Sequence, residues 1–339
     1  MPPIARVSLR SVSATDAPAA RTRRRAAVPA IAAATACALT LALSACGSDE
    51  DDDTAATETS ATGCAAESTS GRSDVDPIPV APAKITVTDP GAQPRKIPAA
   101  APERATPQTT TVSVTSTAVS RTVQDGIDDR RQTVNIPLTA RFGCQDSTDV
   151  EMTLATPTSP DPTLDEQLAE AEGGRAGMAV GPGIMPISLR LLPTGSSGPE
   201  ARHAIEQSLV QALQVSVALP TVPVGVGAVW TSQRSISGAV TVTQVMTITL
   251  TSWTGNRVVL GVTLEETPIN SVFAVPGTSE TITLRRYSNE GTGTVTVDLG
   301  RALPDHAALT LTGARELVGS DESAPIVQRT GATVNWRAR

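Results

Sequence analysis

The feature that most constrains the fold of this chain is an alternation of mostly aliphatic and threonine side chains. It is clearest over residues 240–251. One parity holds Val240, Val242, Gln244, Met246, Ile248 and Leu250, and the other holds Thr241, Thr243, Thr247, Thr249 and Thr251. Successive side chains of a β-strand point to opposite faces of its sheet, so this pattern predicts a strand with one buried and one solvated face. Half-buried strands of this kind are typical of antiparallel sheets.

The same period of two residues recurs through most of the chain. After a turn at Gly255-Asn256, the alternation continues over 258–264, and it also occupies 134–142 and 150–154. Further strands are predicted near 112–114, 280–287, 293–299, 308–318 and 325–336. Together these segments predict an antiparallel sheet of about ten or more strands.

One segment has helical spacing instead. Ser197 and Glu200 have the Ser-x-x-Glu form of a capping box, with Pro199 in the first turn. Apolar residues then recur at intervals of three and four, and Pro220 ends the run. These residues are Ala201, Ile205, Leu209, Ala212, Leu213 and Leu219. The predicted fold is therefore mainly β (α+β), a large curved antiparallel sheet with one long amphipathic helix, 199–219, against it. A weaker helix is predicted at 163–172, and the Gly-rich residues 173–186 are predicted to form a loop.

The N-terminus carries an export signal. Four arginines lie between residues 21 and 25, and residues 28–43 are uncharged and mostly apolar. A basic region, a short apolar run and small residues before the cleavage site are typical of a secretory signal peptide. The apolar run is shorter than the about 20 residues that cross a bilayer. Residues 1–45 are therefore predicted to be removed, by a Sec or a twin-arginine route.

The residues Leu43-Ser44-Ala45-Cys46 resemble the lipobox of bacterial lipoproteins. This resemblance implies that Cys46 is alkylated with diacylglycerol and becomes the new N-terminus. The expected location is the outer face of the cell membrane, with the membrane as partner through the N-terminal lipid, because two or more acyl chains hold a protein firmly. The alternative interpretation is a plain secretory signal with an unrelated cysteine near the cleavage site.

Behind Cys46, residues 46–82 are acidic, Thr-rich and Pro-rich with almost no large apolar side chains. Such a segment buries too little surface to offset its ordering entropy, so we expect a disordered tether. Residues 83–339 form the predicted β-rich domain, as one body or as two lobes around helix 199–219. Cys64 and Cys144 remain as a pair that either forms a disulfide or stays as two free thiols.

Charge and composition exclude several classes of function. Removing residues 1–45 takes six Arg and one Asp from 27 basic and 34 acidic residues, which leaves a net charge of −12. This charge argues against nucleic acid as a partner. His203 and His306 stand alone, and neither metal-binding nor nucleophile motifs occur. We therefore expect no enzyme activity, no metal and no cofactor.

Residues 220–300 resemble an uncharacterised family of exported bacterial proteins, many of them lipoproteins. The first similar segment is 223–230, which begins Pro-Val-Gly-Val-Gly and ends at Trp230. The others are 291–293 and 298–300, and residues 87–95 are similar to the first strand and turn of the family. The resemblance extends over most of 85–337. The resemblance supports the predicted architecture. The family has no established activity that could be transferred to this chain. The layout of a helix on a sheet also resembles lipid-binding bacterial lipoproteins, as a fold-level analogy.

Two functions follow as hypotheses. In the first, the domain holds an apolar, lipid-like ligand between helix and sheet, with Ile205, Leu209, Leu213 and Trp230 as the contact residues. In the second, the core is filled, and the protein is a structural or protein-interaction lipoprotein of the cell envelope.

Overall fold

The computed structural model describes residues 63–122, 126–238, 240–274, 281–320 and 323–339. The predicted signal peptide 1–45, the lipidation site Cys46 and the tether as far as residue 62 lie outside the described residues.

The alternating segments form the predicted antiparallel strands. Residues Val242–Thr254 and Arg257–Pro268 pair as a hairpin around Gly255 and Asn256, and Val242, Met246, Ile248 and Leu250 are all buried. The neighbouring threonines lie on the other face and are partly exposed. The expectation of a mainly β, antiparallel protein is therefore confirmed.

Among the described residues, fourteen strands form one sheet. They are β1 (Ile78–Pro79), β2 (Lys84–Asp89), β3 (Gln108–Thr122), β4 (Gly126–Phe142), β5 (Asp149–Leu154), β6 (Arg175–Gly181), β7 (Met185–Leu192), β8 (Val229–Ile236), β9 (Val242–Thr254), β10 (Arg257–Pro268), β11 (Val272–Ala274), β12 (Thr281–Asp298), β13 (His306–Val318) and β14 (Ile326–Ala338). Their order is β1-β7-β6-β5-β4-β3-β14-β13-β12-β10-β9-β8-β2, with β11 beside β12. The sheet is open, with β1 and β2 at its edges.

The two runs of strands on either side of the predicted helix belong to the same sheet. β3 pairs with β14 over twelve residue pairs, from Arg121 opposite Val327 to Thr110 opposite Ala338. This long non-local pairing joins the N-terminal strands β3–β7 to the C-terminal strands β8–β14. The described residues therefore form one continuous sheet rather than two separate lobes.

Two α-helices are present among the described residues, α1 (Pro162–Ala169) and α2 (Pro199–Gln214). α2 contacts β3, β4, β7 and α1. Its buried residues are Ala201, Ala204, Ile205, Ser208, Leu209, Ala212 and Leu213. No helix of the described residues has both the length and the apolar character needed to span a membrane.

The prediction that the helix continues to residue 219 is wrong, because α2 ends at Gln214. The carbonyl of Leu213 accepts the Val215 amide and the Ser216 hydroxyl, the latter at 2.6 Å. β-branched Val215 and Val217 also disfavour helix. Leu219 is buried in a non-helical segment, and its amide donates to the Gly183 carbonyl at 2.8 Å.

The predicted capping box at the start of α2 is also absent. The N-cap residue is Gly198, which makes no side-chain capping bond. The hydroxyl of Ser197 instead hydrogen-bonds the Thr194 hydroxyl at 2.6 Å and lies 3.4 Å from the Glu170 carbonyl. Thr194, just before the helix, and the Glu170 carbonyl at the end of α1 therefore replace the partner that the Ser-x-x-Glu pattern predicts.

Residues 173–186, predicted to be a loop, contain strand β6 instead. Glycine inside β6 has a packing role rather than a turn role, because Gly177 faces the buried side chains of Thr69 and Arg190. A Cβ atom added at Gly177 would overlap both Thr69 Oγ1 and the Arg190 guanidinium. The absence of a Cβ atom at Gly177 therefore leaves room for the side chains of Thr69 and Arg190 close to the backbone of β6.

We expect Gly177→Ala to destabilise the fold by about 1–3 kcal/mol, because Thr69 and Arg190 are buried and hydrogen-bonded and would have to move. Urea unfolding followed by circular dichroism measures the free energy of unfolding. Gly195→Ala is the matched control, because Gly195 is exposed and has open space where the Cβ would lie. Equal stability of the two variants would contradict this packing role.

Candidate functional site

The four residues predicted to contact an apolar ligand lie in the hydrophobic core. Ile205, Leu209 and Leu213 project from α2, and Trp230 lies in β8. Each is at most 5% exposed, and all four belong to one cluster of buried side chains. The indole Nε1 of Trp230 donates to the Ala218 carbonyl at 3.1 Å, so its polar atom already has a protein partner. The fold brings these residues together as core.

The space around them is almost filled. A small cavity lies beside the end of α2. Of the four predicted contact residues, Leu213 lines it, together with Met178, Val217, Val295 and Trp336. Its volume is about 40 Å³. This holds a few water molecules, whereas pockets for small-molecule ligands usually have about 300–1,000 Å³. This cavity at the end of α2 is therefore too small for an acyl chain.

A larger opening lies where the sheet extends past the end of α2. It has a volume of about 280 Å³ and is named here the polar cleft. The side chains that line it come from α2 and the segment after it, and from β8–β10 and β12–β14. They are Gln211, Gln214, Val215, Ile236, Val240, Val242, Gln244, Glu266, Tyr287, Asn289, Leu311, Arg315, Thr330 and Ala332.

Strand register assembles the polar wall of this cleft. Gln244 of β9 is opposite Glu266 of β10, and Tyr287 of β12 is opposite Arg315 of β13. Gln328 of β14 is in turn opposite Arg315. Directly opposite residues of antiparallel strands have side chains on the same face at close range. Residues far apart in sequence therefore form one row across five neighbouring strands.

Glu266 is the centre of the hydrogen bonds in the polar cleft. Its Oε1 accepts from Gln244 Nε2 at 3.1 Å, and its Oε2 accepts from the Tyr287 hydroxyl at 2.9 Å and from Asn289 Nδ2 at 2.7 Å. Burial raises the pKa of the Tyr287 hydroxyl, and the charge of Glu266 raises it further. Tyr287 therefore stays neutral and serves as a hydrogen-bond donor.

Arg315 forms the other end of the row. Its Nε donates to Gln328 Oε1 at 2.6 Å, and Gln328 Nε2 donates to Ser120 Oγ at 2.9 Å. Burial lowers the pKa of the Arg315 guanidinium. None of the ion pairs between described residues includes Arg315. The guanidinium of Arg315 therefore donates to the neutral amide of Gln328, and no carboxylate pairs with it among the described residues.

A second buried cation, Arg234, lies beside the polar cleft. It is the cross-strand neighbour of Gln244 and is 3% exposed. Its guanidinium donates to the Ser216 carbonyl at 2.9 Å, just after α2, while its Nε has no hydrogen-bond partner among the described residues. Burial lowers the pKa of Arg234 to about 10. A cation near the C-terminus of a helix is favoured by the helix dipole.

Adjacent residues of a strand face opposite sides of the sheet, so Glu265 and Glu266 do not act as a carboxylate pair. Glu265 is exposed and Glu266 lines the cleft, as that argument requires. The role of Glu266 with Gln244, Tyr287 and Asn289 was missed. The one signal in the sequence is Gln244, a polar residue on the apolar parity of β9.

Part of the predicted tether belongs to the folded body. Cys64 and Cys144 are joined by a disulfide, with their Cα atoms 4.9 Å apart. The Ala65 amide donates to the Phe142 carbonyl at 2.8 Å, and β1 adds a two-residue strand beside β7. Residues 63–82 are therefore attached to the sheet, and the predicted boundary of the folded body at residue 83 is wrong.

Buried charges hold this segment in place. Glu151 Oε1 accepts from the amide of Thr69 at 2.7 Å and from its hydroxyl at 2.8 Å. Arg190 Nε donates to Thr69 Oγ1 at 2.8 Å and its guanidinium pairs with Asp149. Composition did not reveal this attachment, because the partners are side chains of β5 and β7 that lie far away in sequence.

No protein-family model and no curated protein matches this chain. The resemblance to an uncharacterised exported family therefore stays a prediction. Within the part of the chain that the structure describes, no group of three His, Cys, Asp or Glu side chains is arranged to hold a metal ion.

Because the core beneath α2 is packed, we expect Leu209→Ala to destabilise the protein by about 2–5 kcal/mol through the cavity it creates. Thermal and urea unfolding measure the loss. Gln207→Ala is the control on the exposed side of the same helix and should change stability little. A Leu209→Ala variant as stable as the parent would mean that this side chain does not pack as described.

Proposed function

We propose that this chain is a non-enzymatic, lipid-anchored protein of the outer face of a bacterial membrane. In this proposal Cys46 carries the acyl chains, and the folded body that begins near residue 63 acts in the cell envelope through its surface. The observation that carries the proposal is the sequence Leu43-Ser44-Ala45-Cys46 behind a basic and then apolar leader.

The attachment of the N-terminal segment supports an anchored role. After cleavage at Cys46, seventeen residues separate the acylated position from Cys64, which is bonded to Cys144. A chain of that length spans at most about 60 Å when fully extended. The disulfide also suits a compartment outside the cytoplasm, because disulfides persist in oxidising environments. The anchor would thus connect to the body through a covalent link to β4 and β5.

The packing of the body supports a surface function over an internal lipid site. In the proposed fold, α2 is the long amphipathic helix that covers a curved sheet. Its buried row of Ala201, Ile205, Leu209 and Leu213 supports this, since Arg202, His203 and Glu206 on its other side are exposed. The cavity of about 40 Å³ beside the end of α2 is too small for an acyl chain. The structural or protein-interaction alternative is therefore the better supported of the two functions.

For the anchor, we expect Cys46→Ser to abolish acylation and to move the protein from the membrane fraction to the soluble extracytoplasmic fraction. The reason is that the membrane affinity comes from buried methylenes, about 0.8 kcal/mol each. Labelling with an alkyne fatty acid, followed by detergent phase partitioning, measures both effects. Cys37→Ser is the matched control, because it changes a cysteine of the same leader and should leave acylation intact.

Retention of Cys46→Ser in the membrane fraction would overturn the proposed anchor. For the body, mass spectrometry of an organic extract of the purified protein distinguishes the two functions. A filled core predicts no stoichiometric lipid beyond the covalent acyl chains. A co-purifying lipid at one per protein would instead favour the internal ligand site and overturn the surface role.

A further inference from the structure

The lining side chains of the polar cleft carry one charge of each sign, and a second guanidinium lies buried beside them. Glu266 supplies the one carboxylate among its lining side chains, and Arg315 supplies a cation. Arg234 adds a second cation next to Gln244. The three hydrogen bonds to Glu266 come from neutral groups, and neither arginine has a carboxylate partner among the ion pairs of the described residues. A partly buried cation without a counter-charge favours an anionic ligand.

The cleft also has an unused hydrogen-bond acceptor. Gln244 is 1% exposed, and its Nε2 donates a hydrogen bond to Glu266. Its Oε1 has no hydrogen-bond partner among the described residues. An unpaired buried carbonyl oxygen is less favourable than a bonded one, because it has lost its hydrogen bonds to water. The oxygen is itself buried, so a ligand N–H or O–H donor would satisfy it once the side chains that cover it move aside.

The remaining walls are apolar. Val215, Ile236, Val242, Leu311 and Ala332 line the same opening, whose volume of about 280 Å³ is close to the lower end of the range for small-molecule sites. At the roughly 30 Å³ share of a liquid water, this volume corresponds to about nine water-sized groups, which suits a small molecule. The apolar walls require that part of the ligand be aliphatic.

We propose that the polar cleft is a binding site for a small aliphatic carboxylate that also carries an amide N–H, as an N-acylated amino acid or the C-terminal residue of a peptide does. The carboxylate binds Arg315, the N–H donates to Gln244 Oε1, and the aliphatic part lies against Leu311 and Val242. The proposal goes beyond the anchored surface role and is independent of it, because it rests on residues of the folded body alone.

Three probes separate these contributions. N-acetyl-L-leucine has the carboxylate, the N–H and the aliphatic group. N-acetyl-L-leucinamide lacks the negative charge, and 4-methylpentanoate lacks the N–H. Chemical-shift titration of the full chain gives each dissociation constant, with Cys46→Ser introduced to prevent acylation and the Cys64–Cys144 disulfide formed. We expect N-acetyl-L-leucine to bind at least tenfold more tightly than either of the other two probes.

Two variants assign the contacts. Arg315→Gln should weaken N-acetyl-L-leucine at least tenfold and leave N-acetyl-L-leucinamide nearly unchanged. Gln244→Met should remove the advantage of N-acetyl-L-leucine over 4-methylpentanoate. Arg329→Gln is the matched control, because Arg329 follows Gln328 in β14, is exposed and faces the other side of the sheet. Thermal unfolding of each variant reports whether the fold is retained.

Equal affinity of the three probes for the parent protein would overturn the proposal without any variant, as would shifts that map away from the polar cleft. A loss in Arg329→Gln as large as that in Arg315→Gln would also overturn it, since the effect would then be one of net charge. Failure of the Cys46→Ser membrane experiment would leave this outcome unaffected.

Discussion

Burial of the aliphatic side of the open sheet is the interaction on which the rest of the structure depends. With two Phe, three Trp and one Tyr in the whole chain, the core is built mainly from Val, Leu, Ile, Met and Ala. Small and branched side chains fill space well when many strands align them in register. The long pairing of β3 with β14 provides that alignment, because it makes one aliphatic face from strands of both halves of the chain.

The length of α2 decides where this aliphatic face is covered. α2 ends at Gln214, and Arg234 and Ser216 interact with the carbonyls at and after its end. The sheet continues beyond that point, and its inner face changes there from aliphatic to polar, with Gln244, Glu266 and Tyr287 in place of leucine and valine. The helix covers the sheet as far as Gln214. Beyond that residue no helix of the described residues covers the sheet, and the polar cleft opens there.

The N-terminal segment uses a different kind of interaction. Residues 63–82 have few apolar side chains, yet the disulfide of Cys64, the buried Thr69 and the short strand β1 attach them to the sheet. Buried charges stay favourable there because Glu151 and Arg190 each satisfy several hydrogen bonds. Under the proposed anchor, this segment would be the point at which a force on the tether reaches the folded body.

The sequence by itself determined the long alternating strands, because a period of two in aliphatic side chains predicts a half-buried strand, and β9, β10 and the turn at Gly255 follow directly from it. It also determined that a helix begins at Pro199. The tertiary structure alone decided that this helix stops at Gln214, that residues 173–186 contain β6, and that residues 63–82 join the body, since Arg234, Arg190 and Cys144 act from distant positions. It alone placed Gln244, Glu266, Tyr287 and Arg315 in one cleft, because cross-strand register depends on pairings between strands that local patterns do not encode.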